Sequence, residues 1–275
     1  MRKINEFFNG LFKAIGVIGS VITTVWAIFP QLACHREMCN WSVFFVCLFL
    51  VLFYASYTIF PKKKIVIKLS ERVTATVFSG DIFESEGILV IPVNDYFDIE
   101  VDDKIVSSET LHGKFVCKYF AGNGLNLREQ INKGLSGYKF ESKPERETGN
   151  KKCYPLGTVC EVKKDNLTFY LVAFTRSNSD NRAEIKNSEY QKVLCDLFYF
   201  VEKNSQGKKI SIPLIGAGHS GVNLSKQKLL EFLLFSIALK DNLTLINGVN
   251  IVLHESNIGD IDLSSIEVLF RSLRR

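Results

Sequence analysis

Charge is missing from two long stretches of this chain. No Asp, Glu, Lys or Arg stands between Lys13 and His35, where the sequence reads AIGVIGSVITTVWAIFPQLAC. None stands between Glu37 and Lys62 either, where the core reads WSVFFVCLFLVLFYASYTIF. Also absent is a G-K-[ST] triplet after any glycine loop, which excludes a P-loop nucleotide site. No C-x-x-C pair occurs among Cys117, Cys153, Cys160 and Cys195, so zinc and disulfide frameworks are poor readings. Beyond Lys64 there is no basic cluster, and therefore no electrostatic footprint for nucleic acid. Internal repeats and low-complexity tracts are lacking too.

The apolar runs are what fills the gaps in charge. Each has about the 20 residues that an α-helix needs to cross roughly 30 Å of hydrocarbon. They are read as a transmembrane hairpin within residues 1–61, with spans at about 11–31 and 41–60. The alternative is a cleaved signal peptide followed by one span, but no small-x-small cleavage pattern follows the first run. A lipoprotein site at QLAC has Gln31 where a leucine-like residue is usual. Lys62, Lys63 and Lys64 close the second run, and positive charge stays cytoplasmic. The remaining domain, 62–275, is thus expected inside the cell, at the bacterial inner membrane. Arg2, Lys3 and Lys13 put the N-terminus on the same side, leaving Arg36 and Glu37 in an outer loop. Cys34 and Cys39 flank that loop and either oxidise there or remain plain thiols. The net charge of +5 is a mild excess that points to no particular partner.

After the lysines come β-rich runs: IVIKL (65–69), VTATVF (73–78), ILVIPV (88–93), TVCEV (158–162), TFYLVAFT (168–175), KISIPLI (209–215) and NIVLHES (250–256). Several are continuous rather than alternating, as in strands buried on both faces. Tyr190, Val193, Leu194, Leu197, Phe198 and Val201 form a helical stripe between two of them. Ser225 is placed to cap another helix, SKQKLLEFLLFSIAL. Strands alternating with helices imply an α/β fold with a mixed, mostly parallel sheet flanked by helices. The polar segment SKPERETGNKK (142–152) reads as a surface loop, and His254 as a core residue inside the last strand.

The segment IPLIGAGHSGV (212–222) holds a literal G-x-G-x-x-G. A strand leads into it and a helix follows, so its backbone N–H groups can face an anion. As a dinucleotide fingerprint it fails. The helix opens too late, Glu255 is too far off, and only one further strand follows, whereas such a fingerprint opens its fold. Taken alone, the glycines could be a left-handed turn and Asp81 a turn cap.

FSGDIFESEGILVIPVND (78–95), YPLGTV (154–159) with LTFYLVAF, and PLIGAGHSG (213–221) occur in the order and spacing of a macro domain, the ADP-ribose-binding α/β family. The chain resembles that family from about Val73 onward. The resemblance implies that Asp81, with Ile82, accepts a hydrogen bond from the adenine amino group. It also implies that Gly216, Ala217, Gly218, His219, Ser220, Gly221 and Val222 wrap the diphosphate. Hydrolytic members carry N-A-A-N and then a triple glycine. Here Ile91, Pro92, Val93 and Asn94 keep only the last asparagine, and DDKIVSSETLHGKF (102–115) replaces the glycines. Asn94, Asp95, His112 and Gly113 are then candidates to meet the distal ribose or a group attached to it.

A membrane hairpin joined to such a domain resembles the membrane macro-domain effectors of type II Thoeris anti-phage systems. That resemblance implies a receptor for an ADP-ribose derivative, histidine-ADP-ribose, made by a TIR-domain partner enzyme. The expected outcome is membrane disruption and abortive infection by a homo-oligomer with no catalytic residue, metal or cofactor. The alternatives are a membrane-anchored ADP-ribosylhydrolase and a scaffold that needs no ligand.

Overall fold

The computed structural model describes residues 11–12, 15–20, 23, 45–46, 48–49, 51–53, 62–178, 182–218, 222–240 and 242–273. The chain divides into two units, Met1–Lys62 and Lys63–Arg275. In the first unit the described residues other than Lys62 are helical. Most of both expected spans, 11–31 and 41–60, lies outside the described residues, and among those described no helix is long and apolar enough to cross a membrane.

In the second unit the strands are β1 (Lys64–Ser70), β2 (Val73–Ser79), β3 (Ile88–Asn94), β4 (Glu141–Ser142), β5 (Lys152–Cys153), β6 (Val159–Lys164), β7 (Leu167–Ser177), β8 (Ala183–Glu184), β9 (Ile210–Pro213) and β10 (Leu245–Leu253). The helices are α1 (Leu111–Phe120), α2 (Gly124–Gly134), α3 (Asn187–Asn204), α4 (Lys226–Ala238), α5 (Glu255–Ile258) and α6 (Leu263–Ser272), with a 3-10 turn at Ile82–Glu84. The main sheet runs β1-β2-β10-β9-β3-β7-β6, and β8 adds to β7. The pairs from β2 through β10, β9 and β3 to β7 are parallel. The flanking pairs are antiparallel, β1 on β2, and β6 and β8 on β7. Antiparallel β1 sets Lys64 opposite Phe78, so the chain enters this unit at the carboxyl end of β2.

Strand β3 shows why its sequence is continuously apolar. Ile88 and Val90 join the core packed by α3, α4 and α6, while Leu89, Ile91 and Val93 join the core packed by α1 and α2. Buried on both faces, it offers no polar stripe. The chain leaving β3 therefore covers one face, and the chain leaving β9 covers the other. Such a reversal is where open α/β sheets bind ligands, outside the carboxyl ends of the strands. Here β3 and β9 pair only at Ile88–Ile210 and Leu89–Ser211, then part. Pro92, which lacks an N–H, lies beyond that pairing, so β9 asks nothing of it.

The helix expectations hold in detail. All six residues of the Tyr190–Val201 stripe are buried on α3, and Ser225 caps α4 by accepting from the Lys228 N–H at 3.4 Å. Two readings are corrected. Strand β10 stops at Leu253, and His254 is exposed. Its ring caps α5, accepting from the Ser256 N–H at 3.3 Å. A His-Glu-Ser sequence after three apolar residues is a helix start, and the apolar run hid the boundary. The 142–152 segment is not only a surface loop: Arg146, with its side chain 11% exposed, reaches inward to a wholly buried Asp98.

Candidate functional site

Four elements singled out in the sequence end at one edge of the sheet, the carboxyl ends of the parallel strands. Beyond β2, Gly80 N–H donates to the Leu253 carbonyl at 3.0 Å, binding this corner to the end of β10. Asp81 follows, exposed, and its Oδ1 accepts from the Phe83 N–H at 2.9 Å. It is thus a turn cap, yet a carboxylate has about four lone-pair sites, and capacity remains for a ligand amine. Ile82 beside it is buried and anchors the turn. Phe83 stacks edge-on against Tyr119, with centroids 5.6 Å apart. Burial, with the Asp81 charge second, raises the Tyr119 hydroxyl above its ordinary pKa.

The glycine loop leaves β9. Ala217 N–H donates to the Leu214 carbonyl at 3.2 Å, closing a tight turn. Gly216 carries the left-handed backbone, with φ +88°. A Cβ there would meet Tyr190, Leu229 and Val222 side chains at 3.2–3.3 Å. Gly218, by contrast, is exposed, and an added Cβ would meet nothing within 4 Å. The glycine that the turn requires and the glycine with open space around it are therefore different residues. Val222 packs half-buried against the core, while His219, Ser220 and Gly221 lie outside the described residues. The loop is held from below by Tyr190, whose hydroxyl lies 3.0 Å from the Ile215 carbonyl and 3.3 Å from that of Leu229. Sequence reading took Tyr190 only as part of an apolar stripe; a buried tyrosine whose O–H needs a partner was the available signal.

Beyond β3, Asn94 is buried and turned to its own loop. Its Nδ2 donates to Asp98 Oδ2 at 2.8 Å, and its Oδ1 accepts from the Asp98 N–H at 3.1 Å. Asp98 also takes both arms of Arg146, at 3.0 and 2.8 Å, and the Asn150 N–H at 2.7 Å. The guanidinium lies 3.9 Å from the Tyr96 ring centroid. His112, in the first turn of α1, is buried beside Asp98; burial lowers its pKa to about 4, against the Asp98 charge and a hydrogen bond to the Asp98 backbone. Gly113 is a close approach, since a Cβ there would sit 2.2 Å from the Ser107 carbonyl oxygen. Asn94, His112 and Gly113 are thus buried, packed into the structure around the end of β3 and the start of α1.

Asp95 is the residue of this group that faces a cavity. It is 3% exposed, accepts from the Ser177 N–H at 3.1 Å and from the Cys153 thiol at 3.2 Å, and lines a cleft of about 330 Å³. Burial raises its carboxyl above the usual range, against those two donors. Burial, then the Asp95 charge, pushes the Cys153 thiol up to about 12, so it stays protonated and donating. Neither the cleft nor the Asp98–Arg146 pair was found from the sequence. Among the described residues no group of three or more His, Cys, Asp or Glu is placed to hold a metal ion.

Three comparisons bear on this geometry. A family model described as Thoeris protein ThsA, macro domain, matches residues 75–254. The Thoeris protein ThsA of Bacillus amyloliquefaciens (strain Y2) is 33% identical over 164 residues, which is 57% of this chain and 54% of that protein. The chain therefore spans about half the length of the curated relative it matches. Among solved structures, a mutant Oceanobacillus iheyensis macrodomain with ADPR aligns at a TM-score of 0.52 and 14% identity, covering 76% of this chain and 99% of that one. The macrodomain of the same organism with ADP aligns at 0.50 and 13% identity, covering 76% and 97%. At such identities the likeness is one of fold.

Proposed function

The chain belongs to the Thoeris ThsA macro-domain family, and on that premise we propose that it is a receptor of anti-phage defence that senses an ADP-ribose derivative. The observation that carries this reading is the shared edge: Asp81, residues 214–218 and the end of β3 all follow the carboxyl ends of parallel strands, where β3 and β9 part. A solved macrodomain of similar fold carries ADPR, which supports the ligand class. In this reading Asp81 takes the adenine amine, and the backbone around Gly218 approaches the diphosphate. The signal is histidine-ADP-ribose from a TIR-domain partner. The two apolar runs hold the protein in the bacterial inner membrane as a hairpin, with the N-terminus and the macro domain cytoplasmic. Ligand-bound homo-oligomers then disrupt the membrane and abort the infection.

In this reading the protein is a receptor with no catalytic residue; that Asn94, the part of the N-A-A-N pattern that remains, is bonded to Asp98 supports it. A second reading, a membrane-anchored ADP-ribosylhydrolase, draws on Asp95, whose burial-raised carboxyl beside the crevice suits a general acid or base. Incubation of the full-length protein with ADP-ribosylated protein separates the two, since a receptor leaves the modification intact. Calorimetry in detergent tests the binding site itself. Asp81→Ala is expected to weaken ADP-ribose binding by about 1–3 kcal/mol, the cost of an unpaired buried amine. Wild-type affinity in that variant would remove the adenine assignment.

A further inference from the structure

We infer that the first turn of α3 is a positioning element for the glycine loop, with Tyr190 holding the foot where the loop leaves β9 and Asn187 the foot that leads into α4. The inference rests on the receptor reading above and names the residues that keep its loop in place.

The composition of the loop creates the need. Gly216, Gly218 and Gly221 give its backbone more freedom to lose than other residues would. An anion that binds such a backbone bears the cost of ordering it, and fixing the loop beforehand lowers that cost. The regular structure on either side stops at Pro213 and resumes at Lys226, so the fixing must come from elsewhere.

The first turn of α3 supplies it. Asn187 and Tyr190 stand three positions apart, on one face of the helix. The Tyr190 ring is buried, edge-on to Phe174 with centroids 5.9 Å apart and to Phe232 at 6.5 Å, which aims its hydroxyl. That hydroxyl lies 3.0 Å from the Ile215 carbonyl, and burial raises its pKa so that it stays a donor. Asn187 serves the other foot as a neighbouring strand would. Its Nδ2 donates to the Asn223 carbonyl at 3.3 Å, and its Oδ1 accepts from the Asn223 N–H at 3.2 Å. The two feet are drawn together above the tyrosine. A Cβ on Gly216 would sit 3.2 Å from the Tyr190 ring and 3.3 Å from the Val222 side chain. The turn itself is fixed from a third side. Glu189 accepts from the Lys186 N–H at 3.1 Å and from Arg176 Nη1 at 2.7 Å, which ties the turn to the end of β7. One residue further on, Gln191 bonds Ser236 in the later half of α4 at 2.7 Å, an ordinary helix-to-helix contact.

The test uses full-length protein in detergent and two readouts. Hydrogen exchange of the 214–223 amides is followed without ligand, and calorimetry gives the affinities for ADP-ribose and histidine-ADP-ribose. Tyr190→Phe removes the hydroxyl and keeps the ring; it should speed exchange and weaken both ligands about tenfold, the worth of one hydrogen bond. Asn187→Ala, at an exposed position, should do the same by about threefold. Gln191→Ala is the control: it should lower Tm yet leave exchange and both affinities within about twofold. Wild-type exchange in both Tyr190→Phe and Asn187→Ala would overturn the attachment. Faster exchange with wild-type affinities would overturn its service to the ligand and leave the receptor reading standing. Equal losses in Gln191→Ala would reduce the effect to general stability and overturn the inference too. If wild type bound neither ligand, the receptor reading would fall and take the positioning role with it.

Discussion

Replacing Arg146 by methionine removes a buried guanidinium while keeping most of its apolar volume. In the native domain this group holds Asp98 with two hydrogen bonds, at 3.0 and 2.8 Å, and covers the Tyr96 ring. The Asp98 side chain is wholly buried, and that of Arg146 is 11% exposed. Breaking such a pair strands a charge and costs about 3–5 kcal/mol in comparable cases. Here Asn94 Nδ2 and the Asn150 N–H still bond the orphaned carboxylate, so the lower end, about 3 kcal/mol, is expected. For a domain of this size each kcal/mol moves Tm by about 2–4 °C, giving a drop of roughly 6–12 °C. Thermal unfolding of Arg146→Met, Asp98→Asn and the double variant forms the cycle. The double variant should be clearly more stable than the sum of the single losses implies, because the stranded charge is gone. Strictly additive losses, or a fall under about 2 °C for Arg146→Met, would refute the claim that this pair clamps the β3 loop.

Three further outcomes follow from the same geometry. His112 has its pKa lowered to about 4 by burial, below its unfolded value of about 6.5, so the unfolded chain binds more protons between those limits. Stability from this group is complete above pH 6.5 and is lost as pH falls toward 4, and His112→Gln should flatten the denaturation profile in that window alone. Gly218→Val should abolish ADP-ribose binding with Tm unchanged, since its Cβ meets open space, whereas Gly216→Ala, at φ +88°, should cost about 1–2 kcal/mol of stability; the reverse pattern would exchange their roles. If the proposed membrane hairpin is mechanically coupled to the domain, a ten-residue Gly/Ser insertion after Lys62, two residues before β1 starts at Lys64, should leave ligand affinity intact yet abolish dye leakage from liposomes; undiminished leakage would favour clustering over mechanical coupling.

The parts of the site that sequence reading found are those encoded locally. A strand, a Gly-Asp-Ile turn and a buried strand place Asp81 at the carboxyl edge of the sheet, and a strand running into glycines before Ser225 brings a loop to the same edge. The parts it missed are made by distant segments. Asp98 and Arg146 are 48 positions apart and meet only because the 142–152 segment folds back over the end of β3. The cleft draws on residues near 139–141, 153–156 and 176, of which only 154–156 lie in a stretch singled out in the sequence. The two glycines of the loop could not be told apart in the sequence, because a left-handed backbone and an open approach call for the same residue. His254 was misplaced for a different reason: hydrophobic continuity sets a strand's interior but says little about its last residue.

The direction of β1 has a practical side. Its first residue lies opposite Phe78, one strand over from the end that leads to Asp81, a lateral distance of about 5 Å. In a version of the domain that starts at residue 63, a purification tag or a fluorescent protein is therefore attached at the same edge of the sheet as Asp81, the edge proposed to take the nucleotide. A bulky or acidic tag there would compete with an anionic ligand for the same few ångströms of surface. An affinity measured on such a fusion would report the tag as much as the protein.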